Sequence, residues 1–104
     1  METQLTARHF DASPTLQRYA NRRLAKLERY YDGIVDAHVI LDRDGAPSAE
    51  KTAEITLGVY RRRLAANDAA PTHEKAIDNC VKRLRRQLLK YKSRLRSTDR
   101  DEHK

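Results

Sequence analysis

The sequence predicts a single α+β domain of order βαβββα, in which a four-stranded sheet carries two helices packed on one face. Three observations support this prediction. The 104 residues fit one domain. Two long stretches repeat apolar residues at helical spacing, and the segments between them alternate apolar and polar residues at strand spacing. Because each helix offers one apolar stripe, both pack against the same sheet face.

The first strand and the first helix occupy the N-terminal third of the chain. Residues 3–8 alternate loosely and are rich in strand-forming residues. Ser13 and Pro14 predict a helix start, since a serine hydroxyl accepts amide hydrogens and proline fits the first helical position. An amphipathic stretch follows, and we expect Asp32 and Gly33 to end it, with the glycine in a left-handed conformation.

Three further strands are predicted in the middle of the chain. Residues 34–41 form the second strand, and a loop over residues 42–51 joins it to an antiparallel third strand that ends at Val59. A turn near Tyr60 to Arg62 leads into the fourth strand. The residues predicted to face the core are Val35, Ala37, Val39, Leu41, Ala53, Ile55, Leu57 and Val59, with His38 on the opposite face.

Pro71 and Thr72 open the second helix, whose apolar face includes Cys80, Leu84 and Leu88. Its pattern continues for about 24 residues. The last eight residues contain no apolar side chain. We therefore expect residues 1–96 to form the domain and residues 97–104 to form a disordered polar tail.

Positive charge is the strongest functional signal in the sequence. The net charge is +7, and residues 72–98 carry nine Lys or Arg against two acidic residues. Residues 13–32 and 61–71 carry smaller positive excesses. Side-by-side helices would place both cationic stripes on one outer surface, and arginine, which contributes 15 of the 22 basic residues, contacts phosphates through a planar fork. This pattern favours recognition of a folded RNA by shape and phosphate contacts.

The motifs that carry enzymatic chemistry are missing from the sequence. The calcium-like stretch at Asp42 has Ala53 where that loop needs Glu, and His38 has no second ligand at metal-binding spacing. Cys80 falls on an apolar helix face, where a thiol is inert. There is no phosphate-binding loop, dinucleotide-binding glycine pattern or nucleophile elbow. We expect no enzyme activity, no metal and no cofactor.

The same residues predict a cytoplasmic protein. The N-terminus lacks the positive charge and apolar stretch of a secretion signal. The single cysteine fits a reducing compartment. The longest uncharged apolar run, Val39 to Leu41, is too short to span a membrane.

Several motifs occur in the order found in one known family: Ser13-Pro14, Arg-Leu-Ala-Lys-Leu-Glu-Arg-Tyr at 23–30, Ala-Ile-Asp at 76–78, Leu84, Arg-Gln-Leu at 86–88 and Lys-Tyr-Lys at 90–92. Over roughly residues 3–95 the chain resembles the short ribosome hibernation-promoting factors and the related ribosome-associated translation inhibitor. This resemblance implies a fold similar to double-stranded-RNA-binding domains. It also implies binding to the small ribosomal subunit and its ribosomal RNA, in the channel that messenger RNA and transfer RNA otherwise occupy. Translation is then blocked, and idle ribosomes are preserved during starvation or stationary phase.

The predicted RNA-binding residues come from two sources. The family motifs imply basic contacts at Arg23, Lys26, Arg83, Arg86, Lys90 and Lys92. The charge map alone adds Arg18, Arg22, Arg29, Lys82 and Arg85. One departure from the family is the start of the last helix. Family members often have an acidic residue, Met and Tyr directly before the Ala-Ile-Asp motif, whereas this chain has Thr-His-Glu-Lys at 72–75. A second is the basic turn at Arg61 to Arg63, a candidate extra RNA contact.

Two alternatives stay open at the level of sequence. One is a general structured-RNA-binding module or RNA chaperone without preference for ribosomes. The other is an RNA-processing enzyme that uses His38 and Asp42, which lie at neighbouring strand and loop positions.

Overall fold

A computed structural model describes residues 1–43 and 50–102 of the chain. Its helices and strands confirm the predicted order βαβββα. In chain order the elements are β1 (Glu2–Arg8), α1 (Pro14–Ala25) with a 3₁₀ turn (Lys26–Arg29), β2 (Asp36–Arg43), β3 (Lys51–Val59), β4 (Arg62–Ala70) and α2 (His73–Glu102).

The four strands form one sheet in the order β1-β2-β3-β4. The β1 strand runs parallel to β2 because α1 crosses between them, whereas β2, β3 and β4 are antiparallel neighbours. Val39 pairs with Leu5 on one side and with Ile55 on the other, so apolar residues of adjacent strands align on one face. Both helices cover this face, as the sequence predicts.

The core lies between the sheet and the helices. The predicted faces of α1, β3 and α2 are buried, and Leu24, Ile55 and Leu84 have no exposed surface. Val35 is an exception, because 66% of its surface is exposed and it precedes β2. Its amide donates to the Gly58 carbonyl at 2.8 Å. Val35 is thereby held at the end of the sheet, and Ile34 is buried instead.

The first helix begins as predicted and ends differently. The Leu16 amide donates to Ser13 Oγ at 3.1 Å, and Pro14 occupies the first helical position. The α-helix then stops at Ala25 and tightens into the 3₁₀ turn. The predicted left-handed glycine at residue 33 is wrong, since no glycine of the described residues has a positive φ. Gly33 instead leaves room for Tyr31, whose ring would lie 2.5 Å from an added Cβ.

The hairpin turn and the start of α2 lie where the sequence places them. Tyr60 and Arg61 connect β3 to β4, and Arg61 has a φ of 61°. The Thr72 side chain caps α2 by accepting from the Lys75 amide at 3.1 Å.

The helix α2 continues to Glu102, so residues 97–102 are helical where the sequence predicts a disordered tail. These six residues include neither Gly nor Pro, so no strong helix breaker ends the helix before Glu102. Residues 44–49 of the predicted loop and residues 103–104 of the tail lie outside the described residues. No helix within the described residues is long and apolar enough to cross a membrane.

Candidate nucleic-acid interface

The two helices are joined through Asp78 on α2. Its Oδ1 accepts a hydrogen bond from the Tyr19 hydroxyl at 2.7 Å, and it lies 2.9 Å from Arg23 Nε in an ion pair. Both partners belong to α1. The contact holds the helices side by side, so that their outer faces form one surface.

This surface carries unpaired positive charge. We define the helical basic surface as Arg22, Lys26, Arg29, Lys82, Arg86 and Lys90, all of which are exposed. Among the side chains that the structure describes, those of residues 1–43 and 50–95, none forms an ion pair with any of the six. Cations without nearby carboxylates raise the local positive potential and attract phosphate groups. Arg18 lies on the same face and contacts the Thr15 hydroxyl at 3.5 Å.

Three further predicted site residues, Arg23, Arg83 and Lys92, make contacts inside the protein. Arg23 pairs with Asp78, and its side chain is only 26% exposed. Arg83 lies 3.2 Å from Asp68 and also donates to the Asn67 carbonyl. Lys92 donates to a backbone carbonyl at 3.4 Å. These three residues hold elements together, and the sequence does not distinguish them from the six cations of the helical basic surface.

Tyr30 makes two contacts with α2 that the sequence does not predict. The Arg85 guanidinium lies 4.8 Å from its ring centroid in a cation–π arrangement, and Lys92 Nζ binds its carbonyl. Tyr30 follows the 3₁₀ turn, so this junction fastens the end of the first helical segment to α2. Arg85 therefore has a partner within the domain. The signal available in sequence was a tyrosine at the end of a basic amphipathic helix.

The opposite face of the sheet is uncovered and has the opposite charge balance. The strand register places four acidic residues there and two basic ones: Glu2, Asp36, Asp42 and Glu54, with Arg8 and Arg63. The molecule therefore has a basic helical side and a mildly acidic sheet side. Of these two faces, the helical one suits a polyanion better.

The pair His38 and Asp42 does not form the catalytic contact that an RNA-processing enzyme would need. His38 Nε2 lies 3.1 Å from the Thr6 hydroxyl, and Asp42 Oδ1 lies 2.8 Å from His9 Nδ1. The bond from His9, aided by the Arg43 amide, lowers the pKa of Asp42. A carboxyl group held in its charged form is a poor general acid.

Cys80 is packed in the core, as its position on the apolar helix face predicts. Its Sγ lies 3.5 Å from the Ala53 carbonyl and 3.7 Å from the Ala66 carbonyl. Burial raises the pKa of the thiol to about 11, which keeps it protonated and unreactive. In the described part of the chain, no group of three or more His, Cys, Asp or Glu side chains could hold a metal ion.

Residues 3–96 match the sequence profile of the family described as Sigma 54 modulation protein / S30EA ribosomal protein. A ribosome hibernation promoting factor from Escherichia coli K12 is 28% identical over 96 residues, which cover 92% of this chain and 98% of that protein.

Two solved structures share the fold. The N-terminal domain of Thermus thermophilus Protein Y has a TM-score of 0.78 at 27% identity, with 88% of this chain and 99% of that chain covered. A ribosomal subunit interface protein from Coxiella burnetii has a TM-score of 0.81 at 24% identity, with 89% and 99% covered, and it supports the fold alone. The profile match spans most of the sequence, some curated relatives of the chain are named ribosome hibernation promoting factors, and the chain belongs to the Sigma 54 modulation protein / S30EA ribosomal protein family.

Proposed function

We propose that this protein binds the small ribosomal subunit in the channel for messenger RNA and transfer RNA, and that it silences and preserves idle ribosomes in the cytoplasm during starvation or stationary phase. Family membership supports a role in ribosome hibernation. The observation that carries the proposal is the helical basic surface, where six exposed cations without ion-pair partners in the described residues lie on two adjoining helices.

The mechanism is steric competition with an electrostatic anchor. Arginine and lysine side chains on the helices neutralise phosphates of ribosomal RNA and release counterions. The domain behind them is held firm by the Asp78 and Tyr30 junctions, so little order must be gained on binding. A firm domain that fills the channel excludes messenger RNA and transfer RNA. No covalent step is required.

The first experiment is co-sedimentation of the purified protein with small subunits, large subunits and whole ribosomes over a range of salt. We expect binding to small subunits and whole ribosomes that weakens with salt and is blocked by transfer RNA. The binding constant should fall as a power of the salt concentration, and the exponent of that power should decrease by about one for each phosphate contact removed. Equal binding to both subunits, or binding unaffected by transfer RNA, would contradict the proposed channel site.

A matched pair of variants tests the surface. Lys82 and Arg86 are replaced together with Glu, and the control replaces Arg8 and Arg43, the last residues of β1 and β2, with Glu. All four side chains are exposed. Lys82 and Arg86 are preferred to Arg83, because Arg83 also contacts β4. We expect the first variant to lose ribosome binding by at least tenfold and the control to lose much less.

The second candidate function is a general structured-RNA-binding module or chaperone. The observation that favours it is the character of the helical basic surface, which offers charge without aromatic side chains for reading bases. Such a module would bind unrelated structured RNAs as tightly as it binds small subunits. A filter-binding comparison at one salt concentration separates the two candidates.

A further inference from the structure

The tip of the β3–β4 hairpin is a second basic feature outside the helical basic surface. We define the hairpin tip as residues 60–63, Tyr-Arg-Arg-Arg, all of which are exposed. Tyr60 has 61% of its surface exposed although it is a large aromatic residue. Val35, at the adjoining end of the sheet, is also exposed. The proposed function above does not use these side chains.

The backbone of the hairpin tip is anchored to the core. The Tyr91 hydroxyl on α2 donates to the Tyr60 carbonyl at 2.6 Å, and the Tyr91 ring packs edge-on against Tyr31 with centroids 5.4 Å apart. On the other side, the Val35 amide donates to the Gly58 carbonyl. A tip whose backbone is held at Tyr60, on a strand that is fixed at Gly58, presents its side chains without a large ordering penalty on binding.

Arg61 occupies a backbone conformation that favours glycine. Its φ is 61°, in the left-handed region that side chains other than Asn and Asp seldom adopt. Its guanidinium lies 5.1 Å from the centroid of the Tyr60 ring. The turn therefore carries an arginine side chain at a position where glycine would be less strained, and that side chain lies over the exposed Tyr60 ring.

The charge of the hairpin tip is largely uncompensated. Arg63 lies 3.9 Å from Asp36 on β2. For Arg61 and Arg62 the structure records no ion pair with any described residue. The three arginines of the tip line a shallow depression of about 470 Å³ together with Val35 and one carboxylate, Asp36. The tip thus combines phosphate-binding cations with exposed aromatic and apolar surface.

We propose that the hairpin tip is a second RNA contact, in which Arg61 and Arg62 bind backbone phosphates and the exposed ring of Tyr60 stacks on an unpaired base. Unpaired RNA offers a base for stacking next to its phosphates, whereas a duplex hides its base faces. The inference rests on the proposed function, because it assigns the tip to the ribosomal RNA that the helical basic surface would bind. The tip then fixes the orientation of the domain on that RNA.

Two tip variants test the two parts of the contact. Replacing Arg61 and Arg62 with Gln should weaken ribosome binding by at least tenfold and reduce the salt exponent by about two, one for each phosphate contact. Replacing Tyr60 with Leu should weaken binding by about fivefold or more through lost stacking, with the salt exponent unchanged. The matched control replaces Arg8 and Arg43 with Gln. Thermal melting verifies that each variant is folded.

Nucleotide protection on the small subunit gives a direct readout. We expect the wild-type protein to protect a set of unpaired nucleotides that the Arg61→Gln, Arg62→Gln variant leaves reactive, while protections made by the helices persist. The proposal is overturned if this variant matches the control in affinity, salt exponent and protection, or if the tip cross-links to a ribosomal protein instead of RNA.

The same experiments separate this proposal from the proposed function. If the Lys82→Glu, Arg86→Glu variant loses ribosome binding and the tip variants bind like wild type, the channel function stands and the second contact is rejected. A wild-type protein that does not bind ribosomes would reject both.

Discussion

At the scale of single residues, Asp78 is the side chain on which the helix pair most depends. Its carboxylate accepts from Tyr19 and faces Arg23 Nε, a buried atom with no other partner among the described residues. Removing the carboxylate leaves that atom without a counter-charge. We expect Asp78→Ala to lower the free energy of unfolding by roughly 2 kcal/mol and Tyr19→Phe by about 1 kcal/mol. Urea denaturation measures both, and a change below about 0.5 kcal/mol for Asp78→Ala would show that the junction is dispensable.

Cys80 predicts a loss of stability at alkaline pH. Burial raises its pKa to about 11 in the folded protein, whereas a free thiol ionises near pH 8.5. Because the folded state retains the proton that the unfolded state releases, this contribution is fully present below about pH 8.5 and is lost as the pH rises through about 11. The change amounts to roughly 3 kcal/mol.

The comparison of wild type with Cys80→Ala isolates this contribution. The difference between their free energies of unfolding should shrink as the pH rises toward 11. Burial also raises the pKa of Tyr91, and the bond to Asp78 raises that of Tyr19, so a further decline above about pH 10 should remain in the variant. A pH-independent difference would show that the thiol titrates alike in both states.

At the scale of elements, α2 protects an exposed sheet edge. The β4 strand is the last in the sheet, and its Ala65 and Asn67 carbonyls accept from Gln87 and Arg83 on the helix. Unsatisfied edge groups invite pairing with another chain. We expect Arg83→Ala with Gln87→Ala to cause concentration-dependent association and to lower the free energy of unfolding by about 1 to 2 kcal/mol. Sedimentation velocity detects the association, and the control, Lys82→Ala with Arg86→Ala, should stay monodisperse.

The order and faces of the elements could be predicted from sequence because alternation and helical periodicity are local signals. The end of α1 could not be predicted in this way, because the segment that follows it packs through Tyr31 against Tyr91, 60 positions further along the chain. The same limit applies to the site. Arg83 and Arg86 look alike on a helical wheel, and only the position of β4 shows that Arg83 contacts a strand. Long-range contacts decide which cations are available to a ligand.

At the scale of the whole molecule, charge is separated between the two faces. The helical side carries the six exposed cations of the helical basic surface, and the open face of the sheet carries more acidic than basic residues. A polyanion is therefore attracted to one side and repelled from the other. This separation orients the protein before any contact forms.

The orientation can be tested with NMR amide shifts during titration with a structured fragment of small-subunit RNA. We expect shifts along α1, α2 and the hairpin tip that shrink as salt is added, because phosphate contacts release counterions. Amides near His38 and Thr56, on the open face, should stay unchanged. Glu54→Gln, which neutralises an exposed acid there, should alter the affinity by less than about twofold, since screening limits exposed charges across the domain to short range. Shifts concentrated on the open face would mean that the sheet, and not the helix pair, meets the RNA.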